Sequence, residues 1–254
     1  YSIMKHIYFL LLILILGSCK HNSQNEVEIL NDFLNQNSDN YNLTIKIINN
    51  KIETLDVSDF YFADKKKFDS LLILISSFND LIELRIANSN IDTFYFLSGM
   101  NNLRSLEILN SNLSRVPALD SFFILEQLVL AECKINGNVN IESLPNSLVT
   151  FSLWGNKIDE LRILQPTSES KLATLNLSNT NIRRINESIY SLPNLLMLHI
   201  SNKYLETSSI EPDSFAGIEY ILIDEESEEI LSALRKKNQE VKIDNSKHKW
   251  AEYR

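Results

Sequence analysis

Glycine is scarce in this sequence, with five residues in 254, and so are proline (five), histidine (four) and cysteine (two). With so few glycines there is no glycine-rich phosphate loop and no Gly-x-Ser-x-Gly elbow, and no His-Glu-x-x-His helix occurs either. The cysteines, Cys19 and Cys133, and the histidines, His6, His21, His199 and His248, do not fall at zinc-ligand spacing. The sequence therefore assigns no catalytic or metal-ligating residues, implies no cofactor, and reads as that of a non-enzyme. Basic charge is in deficit: 24 Lys and Arg stand against 33 Asp and Glu, a formal charge of −9, which argues against a nucleic-acid surface and serves solubility. No Pro, Gly or Ser-rich linker divides the chain, so one elongated domain is expected.

What is present is a repeat. Leu103, Leu106, Ile108 and Leu113 occupy the first, fourth, sixth and eleventh places of a unit. The same spacing returns at Leu81, Leu84, Ile86, Ile91; Leu125, Leu128, Leu130, Ile135; Leu148, Phe151, Leu153, Ile158; Leu172, Leu175, Leu177, Ile182; and Leu195, Leu198, Ile200, Leu205. Units start about 22 to 24 residues apart, a period that marks a stacked-repeat architecture. Around the fifth place, as in Leu106-Glu107-Ile108, apolar and polar residues alternate with the period of a strand buried on one face. One such strand cannot bury its apolar side alone, so neighbouring coils must stack and share a core.

The pattern resembles the leucine-rich repeat family, L-x-x-L-x-L-x-x-N-x-L, over roughly residues 43 to 224. The resemblance implies an α/β solenoid, with a curved parallel β-sheet on the concave side and an irregular or helical convex side. The family's ninth place is normally Asn, which satisfies backbone groups where the chain leaves the strand. Here only Asn156 matches, and Ser89, Ser111, Cys133, Thr180 and Lys203 stand in the other copies. Ser, Thr and Cys can still donate. Lys203 cannot do so comfortably, and a distortion is expected near it.

Residues 1–19 read as an export signal: Lys5 and His6, an apolar run from Ile7 to Leu16 too short to span a bilayer comfortably, then Gly17, Ser18 and Cys19. Leu16-Gly17-Ser18-Cys19 resembles a bacterial lipobox, which implies a lipidated Cys19 and a lipoprotein of the cell envelope. Lys20 in place of Asp favours the outer membrane. With Cys19 carrying lipid, Cys133 has no disulfide partner in the domain.

Residues 20–40 read as a tether and a short helix near Glu26 to Asn35, and residues 41–254 as the repeat domain with its caps. Leu43 to Ile47 and Ile52 to Val57, joined across Asn49-Asn50, predict a hairpin covering one end of the solenoid, with Ile52, Leu55, Val57 and Phe62 in the apolar places. A helix is expected from Phe68 to Ser77, and an irregular loop over 163–170. At the other end, a strand at Ile218 to Ile223, a helix through Ile230, Leu231 and Leu234, and a strand at Val241 to Ile243 predict a strand-helix-strand cap.

The outward columns of the sheet hold the candidate ligand-binding residues: Arg85, Glu107, Val129, Asn176 and His199 between the fourth and sixth places, Tyr220 two residues earlier in its coil, and Leu109 and Trp154 two residues later in theirs. Trp154 is singled out, because tryptophan is enriched among interface hot spots and Leu109, Val129 and Ala131 lie on adjoining coils. The family resemblance implies non-catalytic recognition of a protein or peptide on this concave face. Carbohydrate binding by Trp154 with Asn176, Ser152 and Thr150, or a purely structural envelope role, are the alternatives. The chain is expected to be a monomer whose contact with the membrane is through its lipid anchor alone.

Overall fold

The structure is a computed structural model that describes residues 23–37, 41–48, 51–60, 64–97, 99–119, 122–210, 217–223, 227–237 and 242–244. The expected signal with Cys19, the Asn49-Asn50 turn, Phe62 and Val241 lie outside the described residues. Among the described residues no helix is long and apolar enough to cross a membrane.

The order of elements begins with helix α1 (Ser23–Asn37), the antiparallel strands β1 (Asn42–Ile48) and β2 (Lys51–Ser58), and helix α2 (Lys65–Ser76). Strands β3 (Glu83–Ala87), β4 (Ser105–Leu109) and β5 (Gln127–Ala131) follow, then β6 (Asn136–Ile141), β7 (Thr150–Ser152), β8 (Lys157–Ile163) and β9 (Thr174–Leu177). The chain continues through α3 (Glu187–Tyr190), β10 (Met197–Ile200), β11 (Tyr220–Ile223), α4 (Glu228–Lys237) and β12 (Lys242–Asp244). Ten strands form one sheet in the order β1-β2-β3-β4-β5-β7-β9-β10-β11-β12, parallel except at the β1 hairpin. The hairpin and the strand-helix-strand cap thus stand at the two ends of the sheet, as the sequence predicts.

The apolar first, fourth, sixth and eleventh places of all six aligned repeats are buried and form one core. In the first coil Phe60 is fully buried alongside Ile52, Leu55 and Val57. Leu30 and Leu34 of α1 and Leu71, Leu72 and Ile75 of α2 extend the core at this end. Each such side chain, fully buried, contributes on the order of 1.5 to 3 kcal/mol. The carboxylate of Asp64 starts α2 by accepting from the Lys66 amide at 2.9 Å, which supplies one of the helix's orphan donors.

Two backbone ladders fix the coils in register. Before the strand, the amides of Ile82, Arg104, Glu126, Val149, Ala173, Leu196 and Glu219, all at the second place, each donate to the second-place carbonyl of the preceding coil at 2.8 to 2.9 Å. After the strand, the eighth-place amides of Asp59, Asn88, Asn110, Glu132 and Gly155 donate to the seventh-place carbonyl of the next coil at 2.8 to 3.1 Å. To make that turn the eighth place enters the left-handed region: φ is 58° at Asp59, 50° at Asn88, 46° at Asn110, 52° at Glu132, 72° at Gly155 and 51° at Asn179. Asn and Asp tolerate this conformation and glycine adopts it freely; at Glu132 the ladder imposes it.

The column stops at the next coil. Asn202 occupies the eighth place, is buried, and keeps a negative φ, while Lys203 beside it is exposed. The distortion expected near Lys203 is therefore a change of backbone at Asn202, and Ser201 donates back to the Leu177 carbonyl at 3.3 Å.

The return side is helical at α2, α3 and α4 and irregular in most of the other coils. In two coils it is a strand: β6 and β8 pair in parallel from Asn136↔Lys157 to Ile141↔Ile163, with Asp159 of β8 bulged out opposite the Gly137–Asn138 step. Val139 and Ile141 of β6 and Ile158, Leu161 and Ile163 of β8 point into the core, so these segments carry the strand period although the family pattern does not require one here.

Candidate functional site

The outward face of the main sheet is three columns wide, and the register fixes each residue in it. The middle column runs Asp56, Arg85, Glu107, Val129, Ser152, Asn176, His199, Leu222, each paired with the next. The column before it runs Thr54, Glu83, Ser105, Gln127, Thr150, Thr174, Met197, Tyr220. In the column after it Ser58, Ala87, Leu109 and Ala131 are paired in sequence, and the Glu132 amide bound to the Trp154 carbonyl at 2.8 Å puts Trp154 next.

The first half of the face is charged and internally braced. Arg85 Nη1 donates to Asp56 Oδ2 at 2.8 Å, and its Nε lies 3.5 Å from Glu107 Oε2. Gln127 Nε2 donates to Glu107 Oε1 at 2.7 Å. Arg85 and Glu107, both predicted as ligand residues, thus belong to one bonded row across four coils, in which Asp56, Arg85 and Glu107 alternate in charge and Gln127 ends the row uncharged. Such half-exposed pairs contribute little stability, on the order of 0 to 1 kcal/mol each. Their effect is to hold the side chains in place.

The second half is uncharged and closed. Asn176 is 1 % exposed and His199 3 % exposed, so these two predicted residues stand in the expected column but offer a ligand almost no surface. Asn176 is committed to its own turn, where its Oδ1 accepts from the Ser178 amide at 2.9 Å and from Ser178 Oγ at 2.8 Å. Ser152 and Ser178 are buried as well. Around this floor Trp154, Met197 and Tyr220 are half-buried. The predicted set therefore divides: Leu109, Val129 and Trp154 are half-buried neighbours on adjoining coils, Tyr220 lies with Met197 toward the far end, and Asn176 and His199 form the floor between them.

Behind the face, the ninth-place side chains hold the turn. Asn156 is buried, donates from Nδ2 to the Leu130 carbonyl at 2.7 Å and the Leu153 carbonyl at 2.8 Å, and accepts from the Ile135 amide at 3.3 Å. Thr180 donates to Leu177 O at 2.6 Å and Ser111 to Leu109 O at 3.0 Å. Cys133 donates weakly, to Ala131 O at 3.3 Å and Ile108 O at 3.6 Å. Burial pushes the Cys133 thiol up to about 11, which suits a small donor and not a nucleophile.

On the return side a cleft of about 490 Å³ is lined by Glu160, Arg162, Arg184, Asn186, Ser208 and Ser209 among others. Glu160 accepts from Arg162 Nη2 at 2.8 Å and Asn186 Nδ2 at 3.0 Å, and the Arg162 bond is the main cause that holds its carboxyl below the ordinary range. Arg184 Nε meets Glu206 at 3.2 Å. The charges offset one another within the cleft, which leaves no net pull on an ion.

The alternating pattern did not single out the second place, yet the structure makes it a column of its own just before the strands, beside the outward face, in which Val149 and Leu196 are exposed. Reading the second residue of each aligned repeat across the copies would have found it.

The register across eight strands, with buried residues at the apolar places of all six aligned repeats and ninth-place donors at Ser111, Cys133, Asn156 and Thr180, decides the fold. The chain folds as a leucine-rich-repeat solenoid. No family model and no curated protein matches it. Among solved structures it is similar to a leucine-rich repeat protein of Leptospira interrogans, 15% identical, with 68% of this chain and 74% of that one covered and a TM-score of 0.29. So distant a likeness says nothing of a ligand.

Proposed function

We propose that the chain is a non-catalytic binding module of the bacterial cell envelope that holds a protein or peptide ligand on the concave face of its leucine-rich-repeat sheet. The observation that carries this reading is the unbroken register of the outward columns from Asp56 to Leu222, which presents a fixed, braced row of charge beside an apolar patch. Leu109, Val129 and Trp154 are the apolar anchors, and Arg85 and Glu107 supply orientation and selectivity against wrongly charged partners. Asn176 and His199 act from beneath, by shaping the floor. A repeat fold alone specifies no ligand, so the assignment rests on these residues and their placement.

The lipobox resemblance at Leu16 to Cys19 supports attachment to the envelope through lipid on Cys19, at the outer membrane. Expression in a bacterial host with an alkyne fatty acid should label the chain and place it in the membrane fraction, and Cys19→Ala should lose both.

Binding is tested by comparing capture of envelope and secreted proteins by the wild-type chain and by Trp154→Ala and Arg85→Glu variants of equal circular dichroism. A partner retained by the wild type and lost by both variants supports the concave reading. A partner retained equally by all three places binding elsewhere and refutes it. Retention on a glycan column that depends on Trp154 alone would favour carbohydrate over protein.

A further inference from the structure

The first strand of the main sheet, β1, has β2 on one side and, among the described residues, no strand on the other. It is seven residues long, and its pairing with β2 passes from Lys46↔Thr54 to Ile47↔Ile52, so the extra residue, Glu53, lies in β2 and β1 runs without a bulge. No backbone bond leads from its outer edge to any other described segment. Its core-side residues are poorly covered: Leu43 and Ile45 are half-buried and Ile47 is 42 % exposed, whereas their β2 neighbours Val57, Leu55 and Ile52 are fully buried. A regular edge of this kind is a template for another strand.

The side chains of β1 decide which strand fits. Thr44 and Lys46 stand on the outward face on either side of Ile45, and Leu43 and Ile47 stand on the core face with it. An antiparallel copy centred on Ile45 therefore sets Leu43 against Ile47, Ile45 against itself and Thr44 against Lys46, and it engages all seven residues. The contact is self-complementary, as a two-fold interface requires. A slip of one residue would set Ile45 against Thr44 or Lys46 and bring the core face of one copy beside the outward face of the other. A slip of two would set Lys46 against itself in one direction and leave Ile47 and Ile48 without a partner strand in the other.

Charge agrees with this register. Lys46 is the single charged residue of β1 and makes no ion pair among the described residues. Opposite Thr44 of the other copy, it comes one row from that copy's Asp56, whose Oδ2 takes Arg85 and whose Oδ1 has no hydrogen-bond partner. The two Lys46 side chains lie on a diagonal, not face to face. The far edge of the sheet offers a poorer match, because β12 is three residues long and would pair with fewer than half of β1.

We propose that the chain, expected from its sequence to be a monomer, forms a two-fold dimer through β1, the two strands antiparallel about Ile45. The two ten-stranded sheets then run on as one, and both outward faces look the same way because the axis stands perpendicular to the sheet. Trp154 and Arg85 are not among the contacts, so the dimer is independent of what the concave face binds.

The test is sedimentation velocity of the full chain over about 1 to 100 µM, in excess non-ionic detergent so that an anchor segment does not itself join two copies. The wild type should pass from monomer to dimer as concentration rises. Hydrogen exchange at β1 should slow over the same range while that of β4 stays constant. Thr44→Lys, at an exposed position, sets like charges face to face twice in each dimer and should weaken association about tenfold with unchanged circular dichroism. Adding Lys46→Glu should restore association, since opposite charges then face each other. A monomer at every concentration overturns the proposal. So does a dimer whose β1 exchange is indifferent to concentration, or one that Thr44→Lys leaves intact, because the contact would then lie elsewhere. Particles that go on growing with concentration overturn it too, since pairing of β1 with β12 head to tail makes an open chain and not a closed pair.

Discussion

Single residues at the exit from each strand carry more of this structure than their size suggests. Asn156 is buried and binds four backbone groups in two coils, so Asn156→Ala should cost roughly 2 to 4 kcal/mol, read as a lower midpoint in urea unfolding with unchanged slope. At Gly155, with φ at +72°, an added Cβ would meet Glu132 Cγ at 2.9 Å. Gly155→Ala should therefore destabilise by about 1 to 2 kcal/mol, and Glu132→Ala in the same chain should return only the steric part, leaving the backbone strain. Cys133 gives a pH signature. Its thiol is raised from 9.0 to about 11, so above pH 9 the unfolded chain ionises while the folded chain does not. The thiol's favourable contribution is complete below pH 9 and lost as pH rises toward 11; a fall in thermal midpoint over that window that Cys133→Ala diminishes would show it. The ninth-place substitutes were legible in the sequence because their chemistry is that of small donors. The left-handed eighth column was not, although Asn88, Asn110 and Asn179 occur at the same place, because Glu132 and Gly155 share that place and only the inter-coil ladder makes their conformation one requirement.

At the scale of elements, the repeat spacing made the main strands and both caps legible, since alternation and apolar period are local properties of the sequence. The return side was less so. Asn136-Gly137-Asn138 is a poor strand former in β6, and β8 is crowded with charge and bulged at Asp159, so neither segment looks like a strand until the other is laid beside it. Helix α3 is a single turn, too short to persist alone, and it is fixed by its neighbours. The Asn186 side chain caps it by accepting from the Ser188 amide at 3.1 Å, and Ser188 Oγ accepts from the buried Ile163 amide at 3.0 Å, which ties α3 to the end of β8. Ser188→Ala would leave that amide unpaired. The expected result is a loss of about 1 to 2 kcal/mol and faster hydrogen exchange at Ile163, while the amides of β3 and β4 keep their protection.

For the whole molecule, stability is a sum over coils and the interfaces between them. Phe151 is among the largest fully buried side chains and lies in a central coil, so Phe151→Ala should cost about 3 to 5 kcal/mol. It should also split the unfolding transition, with exchange protection falling first in the coils on either side and last in the hairpin cap; a single concerted transition would mean that cooperativity outruns the nearest-neighbour picture. The candidate face was legible as columns but not as surface, because exposure depends on how neighbouring coils crowd, and that closed Asn176 and His199 while leaving Val149 and Leu196 open. The ladder at the second place has one more consequence. Leu103 and Leu125 occupy equivalent positions, as do Arg104 and Glu126, and each coil is bonded only to its neighbours along that line. Excising residues 104–125 and joining Leu103 to Glu126 would keep every rung matched and remove one row of the face. Duplicating the same stretch would add one. The molecule has a fixed cross-section but no intrinsic length, so its reach along a partner can be rewritten in whole rows while both caps stay as they are.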